Sequence, residues 1–201
     1  MRSLQFVLIF WILACTMISW SFLSPDYFWI LFPLSLFVLA CFSIYKEHKK
    51  ALFTLSKSTF VIALLSGIGI YLFFLLTYLF IKQVPYPIIV YVTDLYNLVG
   101  PKEWWHYVLL VFVIIPGEEL FWRGFIQKQL KELGPLRSVL IAAALYSLAH
   151  AWTGNPMLMA AAFTGGSAWG FLFLRTGSLS VVIISHLVFD LLLLVLVPLT
   201  F

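Results

Sequence analysis

Uncharged stretches of about 20 residues recur along this chain, and that length is what a helix needs to cross the hydrocarbon core of a bilayer. Residues 4–23, 27–45 and 59–81 contain no Asp, Glu, Lys, Arg or His. Overall the chain is 63% hydrophobic and 10% charged across 201 residues. Soluble domains run at about 45–50% apolar and about 25% charged. A soluble fold of this length cannot hide so much apolar surface, so the solvent for most side chains is lipid. The 20 Phe and 8 Trp residues suit lipid-facing and interfacial positions.

The expected fold is all-α, a polytopic transmembrane bundle of about seven spans plus one short interfacial or re-entrant segment. After the first three spans, residues 86–99 contain Asp94 and Asn97 between prolines and a Gly-Pro pair, and are too short to cross. Further spans are expected near 104–127, with an amphipathic end at 127–133, then at 138–152, 157–174 and 179–197. Gly67 and Gly69 in the third span are available for close helix contact. One membrane domain is expected, with residues 1–100 lacking chemical motifs and residues 104–197 forming the functional core. Arg2 before an apolar run resembles a signal peptide, but no small-x-small cleavage site follows, so a retained first span is expected. Cys15 and Cys41 sit among apolar residues and read as packing or lipid-facing side chains.

Loop charge sets the expected orientation. With the N-terminus inside, Arg2, Lys46, Lys49, Lys50, Lys57, Lys128, Lys131, Arg137 and Arg175 fall inside, against Lys82 and Lys102 outside. That bias favours N-in and C-out in a membrane of bacterial cytoplasmic type. The net charge of +4 comes from these short loops, which excludes nucleic acid as the implied partner. The expected partners are membrane lipid and a peptide or protein substrate.

Ionisable side chains inside lipid cost roughly 2.5–3.5 kcal/mol each and persist when they pair or work. Six lie in the C-terminal half: Glu118, Glu119, Arg123, His150, His186 and Asp190. Glu119 and Arg123 are spaced i,i+4 and share a helix face, where an ion pair lets both charges exist. Glu118 is turned about 100° away and can face another neighbour. The same spacing relates Tyr146 to His150 and His186 to Asp190. A bland reading makes each pair an intramembrane clamp, and a lone buried His is more often structural than catalytic. Several such residues on three helices favour a common site.

Two chemistries fit. Glu118 can act as a general base on water, assisted by His150, with His186 and Asp190 steadying the developing oxyanion. Alternatively His150, His186 and the carboxylates of Glu118 or Asp190 can hold a divalent metal such as zinc that activates the water. No His-Glu-x-x-His motif occurs. A non-catalytic immunity or scaffold protein and a small proton-coupled carrier are the rival readings. The chain shows no repeated halves of the kind carriers use.

The ordered motifs Glu118-Glu119-x-x-x-Arg123, Tyr146-x-x-x-His150 and His186-x-x-x-Asp190 resemble those of the CAAX-protease and bacteriocin-processing family of intramembrane enzymes, also called CPBP or Abi. The resemblance spans residues 104–197. It implies a helical membrane endopeptidase with Glu118 as base, His150 beside the water, His186 and Asp190 at the oxyanion, and Glu119 with Arg123 in support. Tyr146 stands where the family motif has Phe, and Asp190 where well-understood members have Asn. An ionised Asp cannot donate to an oxyanion, so Asp190 would act protonated, orient His186, or bind metal. Depth adds a condition. Counted from the span ends, Glu118 and His150 meet only if helices tilt or the fifth span starts deeper in the inner layer.

Overall fold

The computed structural model describes residues 2–46, 53–84 and 88–200. Helices dominate, and no strand occurs among the described residues. They are α1 (Arg2–Leu23), α2 (Phe28–Lys46), α3 (Lys57–Ile81) and α4 (Ile89–Val99). A long rod follows, built from α5 (Trp104–Leu109), a π turn π1 (Leu110–Ile114), α6 (Ile115–Glu119) and a second π segment π2 (Leu120–Gln127). The chain ends with α7 (Pro135–Ala149), α8 (Pro156–Thr176), α9 (Leu179–Leu191) and π3 (Leu192–Leu196).

Local chemistry starts and stops these helices. Ser24 and Pro25 open the turn between α1 and α2, with proline at its first position. Ser56 and Thr59 form a reciprocal capping box at the start of α3. Asn155 Oδ1 accepts from the backbone N–H groups of Met157 and Leu158 at 3.0 and 3.1 Å, capping α8. α8 ends at Gly177, whose φ of 63° is the left-handed conformation glycine adopts without strain. Ser178 then caps α9, and its hydroxyl donates to the Thr54 carbonyl, tying the entry of α9 to the segment before α3.

Among the described residues five helices are long and apolar enough to cross a membrane: Leu4–Leu23, Pro25–Tyr45, Lys57–Ile81, Pro156–Thr176 and Leu179–Leu196. The expected fourth and fifth spans differ from these. The fourth is the rod, helical from Trp104 onward but broken in type by its two π segments. The fifth, expected at 138–152, is α7, which starts at Pro135 and has only 15 residues. His150 falls just past its end. At about 1.5 Å per residue α7 is roughly 22 Å long, short of a 30 Å core. The 11-residue α4 is likewise too short to cross, as expected for that segment. The expected loop at 46–50 lies, from residue 47 on, outside the described residues, as do residues 85–87 near the start of the 86–99 segment.

α1, α2, the rod and α7 enclose one apolar core around Ile18, Leu36, Phe121 and Ala142. α3, α8, α9 and Tyr96 of α4 enclose a second around Tyr71, Trp169, Val182 and Phe189. Outward faces are apolar as well: Ile9, Leu65 and Phe80 are 60%, 63% and 70% exposed. Glu119 is 0% exposed and Arg123 2%. Apolar outside with ions inside is the arrangement a lipid solvent selects, and the chain is an integral membrane protein.

The two glycines of α3 behave differently. A Cβ on Gly67 would sit 2.5 Å from the Ser185 carbonyl oxygen and 2.8 Å from Val188 Cβ, so α3 and α9 touch through this position. A Cβ on Gly69 would meet nothing within 4 Å, which corrects its expected contact role. Gly67→Leu is therefore expected to cost about 1–3 kcal/mol by overpacking, and Gly69→Leu no more than about 0.5 kcal/mol. Thermal unfolding of the two variants in detergent checks the contrast.

The depth condition is met by the hairpin between the rod and α7. Glu118 and His150 line one cavity, and the fifth helix, which has His150 just past its end, starts at Pro135 after the positive-φ Gly134, three residues before its expected start.

Candidate active site

The adjacent carboxylates of α6 point to different neighbours, as their 100° offset requires. Glu119 Oε1 accepts from Arg123 Nη1 at 3.1 Å and lies 2.7 Å from His186 Nδ1. Glu118 Oε1 accepts from the Tyr146 hydroxyl at 3.0 Å. Glu118 Oε2 is 3.9 Å from His186 Nε2. His186 thus stands between the two glutamates, bonded to one and facing the other.

Glu118, Tyr146, His150, His186 and Asp190 all line one cavity of about 300 Å³. Glu119 and Arg123 do not line it; they lie behind, buried with Trp122 and Phe121. The structure therefore brings five of the seven expected residues to a common space and sets the other two as their backing. The rest of the lining is largely apolar. Phe22, Phe28, Trp29 and Phe32 reach it from the end of α1 and from α2, so the motif-free N-terminal spans supply part of its wall.

The in-helix pairs are modified by contacts between helices. Tyr146 does pair with His150, but through its backbone: His150 Nδ1 is 2.9 Å from the Tyr146 carbonyl oxygen. A carbonyl only accepts, so Nδ1 carries the hydrogen and the Nε2 lone pair is left for another partner. The tyrosine hydroxyl crosses to Glu118 instead. His186 Nε2 is 3.6 Å from Asp190 Oδ2, within ion-pair range but beyond a hydrogen bond, and its short bond is to Glu119. Tyr146 and His150 are near perpendicular, with ring centroids 5.0 Å apart.

Sequence reasoning missed Trp169. Its ring stacks on His186 with centroids 3.8 Å apart and planes 22° from parallel. The Arg123 guanidinium lies 5.5 Å from the same ring and 5.2 Å from that of Tyr146. One tryptophan among 8 carries no mark in sequence; its one local cue is Gly165, a turn earlier on α8. Gln127, also unforeseen, donates to the Gly170 carbonyl at 3.0 Å and fastens the end of π2 to α8.

Among the described residues no three His, Cys, Asp or Glu side chains are grouped as metal ligands. The site instead offers a carboxylate with one hydroxyl donor, an imidazole with a free nitrogen, and a second imidazole flanked by carboxylates. That set can move a proton and stabilise developing negative charge.

The chain matches no curated protein and no solved structure. Residues 100–192 match the family model described as Type II CAAX prenyl endopeptidase Rce1-like. Glu118, Glu119, Arg123, His150, His186 and Asp190 all fall inside that segment, and over it the chain is similar to the CAAX-protease family.

Proposed function

We propose that this protein hydrolyses a peptide bond of a membrane-associated substrate, prenylated or bacteriocin-like, with a water activated by Glu118. The observation that carries this reading is the convergence of Glu118, His150 and His186 on one largely apolar cavity, with the Glu119–Arg123 pair behind it. Glu118 takes a proton from the water while His150 Nε2 accepts a hydrogen bond from it, and the hydroxide attacks the carbonyl carbon. His186, as an imidazolium, donates from Nδ1 to Glu119 and from Nε2 to the oxygen that gains charge. Glu118 then returns its proton to the leaving amine as the C–N bond breaks. Asp190, 3.6 Å from His186 Nε2, fits the orienting role better than that of an oxyanion donor.

No step in this scheme passes through a metal ion. Cleavage is therefore expected to survive exhaustive chelation, and elemental analysis of purified protein to find less than one zinc per chain. Stoichiometric zinc lost together with activity would overturn the metal-free form. The reading as a whole is tested by membrane proteomics of cells carrying wild type or Glu118→Gln. An uncleaved precursor should accumulate only in the variant. An unchanged proteome and phenotype would favour a scaffold. Proton or solute flux in proteoliposomes, abolished by the same change, would favour a carrier.

A further inference from the structure

Histidine χ2 is a broad torsion that sets no ring plane by itself. For His186 to present Nε2 to the cavity, something outside its own helix must hold the ring. The bond from Nδ1 to Glu119 fixes one corner of the imidazole and leaves rotation about that corner open. Nε2 has no bond of its own, standing 3.9 Å from Glu118 and 3.6 Å from Asp190. What remains to define the plane is the indole of Trp169, face to face with the imidazole at 3.8 Å.

The indole is itself held in place. Trp169 is 3% exposed and packs against Phe189 of α9, ring centroids 5.4 Å apart. On α8 it lies back over Gly165. A Cβ there would come within 2.7 Å of Trp169 Cζ3 and 3.1 Å of Cη2. Glycine at 165 is thus the residue that gives the ring room to lie where it does. The Arg123 guanidinium within 5.5 Å of the indole joins the same ring to the buried ion pair. One aromatic plate therefore links the Glu119–Arg123 pair to the orientation of His186.

We propose that Trp169, seated by Gly165, is a positioning residue for His186: its face locks the imidazole so that Nδ1 stays on Glu119 while Nε2 faces the cavity between Glu118 and Asp190. The proposal rests on the peptidase reading for its catalytic consequence, but its structural claim stands apart from it. Misplacement of a catalytic group by about 1 Å can cost on the order of 10² in rate.

The test uses full-length protein in detergent, labelled at histidine with ¹³C and ¹⁵N, with His186 signals assigned by their loss in His186→Gln. In wild type the imidazole C–H protons of His186 should be shifted upfield by the indole, with one tautomer. Trp169→Phe keeps a flat face and should retain most of the shift and a single tautomer. Trp169→Leu should lose the shift and show more than one ring state. Turnover is read on an internally quenched prenylated peptide. Trp169→Leu should lower kcat by about 10² with KM little changed, and Trp169→Phe should largely restore it. If Trp169→Leu does not fold, Gly165→Ala, which presses on the indole without removing it, decides by the same His186 shift. A folded Trp169→Leu or Gly165→Ala with His186 signals and kcat as in wild type overturns the proposal. A wild type that cleaves no peptide while His186 still responds to Trp169 overturns the peptidase reading and upholds the positioning.

Discussion

Glu118→Gln is expected to lower peptide cleavage by about 10²–10⁴-fold, the usual contribution of a general base, while the protein unfolds near the wild-type temperature. The geometry argues for this separation of effects. The glutamine carbonyl can still accept from the Tyr146 hydroxyl, now 3.0 Å from Glu118 Oε1, so the tie between α6 and α7 survives. The Glu119–Arg123 and Glu119–His186 bonds do not involve the altered side chain. What is lost is the ability to take a proton from water. Tyr146→Phe removes one hydrogen bond to that carboxylate, worth about 1.5–3 kcal/mol, and keeps the base. It should reduce cleavage less than Glu118→Gln does. Turnover and thermal unfolding measured on the same preparations check both. Full activity in a folded Glu118→Gln protein would remove Glu118 from the chemistry.

Arg123→Leu should do the reverse and strike stability first. Glu119 is fully buried, and the guanidinium is one of its two partners, the other being His186. Removing one member of a buried ion pair costs about 3–5 kcal/mol when the other charge is left uncompensated, and the lower end applies here because Glu119 keeps its bond to His186. The contacts of Arg123 with the rings of Tyr146 and Trp169 go as well, each worth about 0.5–2 kcal/mol. For a domain of this size each kcal/mol is worth about 2–4 °C in Tm, so a loss on the order of 10 °C is expected in detergent. The double variant Glu119→Gln/Arg123→Leu should recover part of that loss, since the buried carboxylate charge goes with its guanidinium partner. A single variant that melts with wild type would show that the pair does not hold the fold.

Spans in the N-terminal half were legible because lipid imposes one requirement on every turn of a crossing helix, and α1, α2 and α3 satisfy it without interruption. Their second duty was not. Nothing in an unbroken apolar run says that Phe22, Phe28 and Phe32 turn inward to a cavity while Ile9 faces out. The Glu119–Arg123 pair could be read because both residues sit on one helix, where spacing is geometry. The bond of Glu119 to His186 joins residues 67 apart in sequence, and that of Tyr146 to Glu118 joins residues 28 apart. Spacing along a helix is silent on both. It even suggested a different partner for each side chain, since Asp190 and His150 lie one turn away. The apolar run of the fifth helix begins near Ser138, three residues after the helix itself starts, because the backbone turns at Gly134 and Pro135.

A π segment carries more residues in each turn than the α-helix it replaces. Residues 120–127 are wound this way between Glu118 and the hairpin that returns to Tyr146. Shortening this stretch by one residue would let it rewind as an α-helix, and each residue of α-helix subtends about 100°. The larger turn per residue offsets the residue removed, so the parts beyond the deletion would stay close to their phase relative to Glu118. Gln127 would still reach the Gly170 carbonyl, and α7 would still turn the same face toward the cavity. The extra residue of this stretch is slack: a single deletion here leaves the site in phase, whereas a deletion from an ideal α-helix would turn it by about 100°.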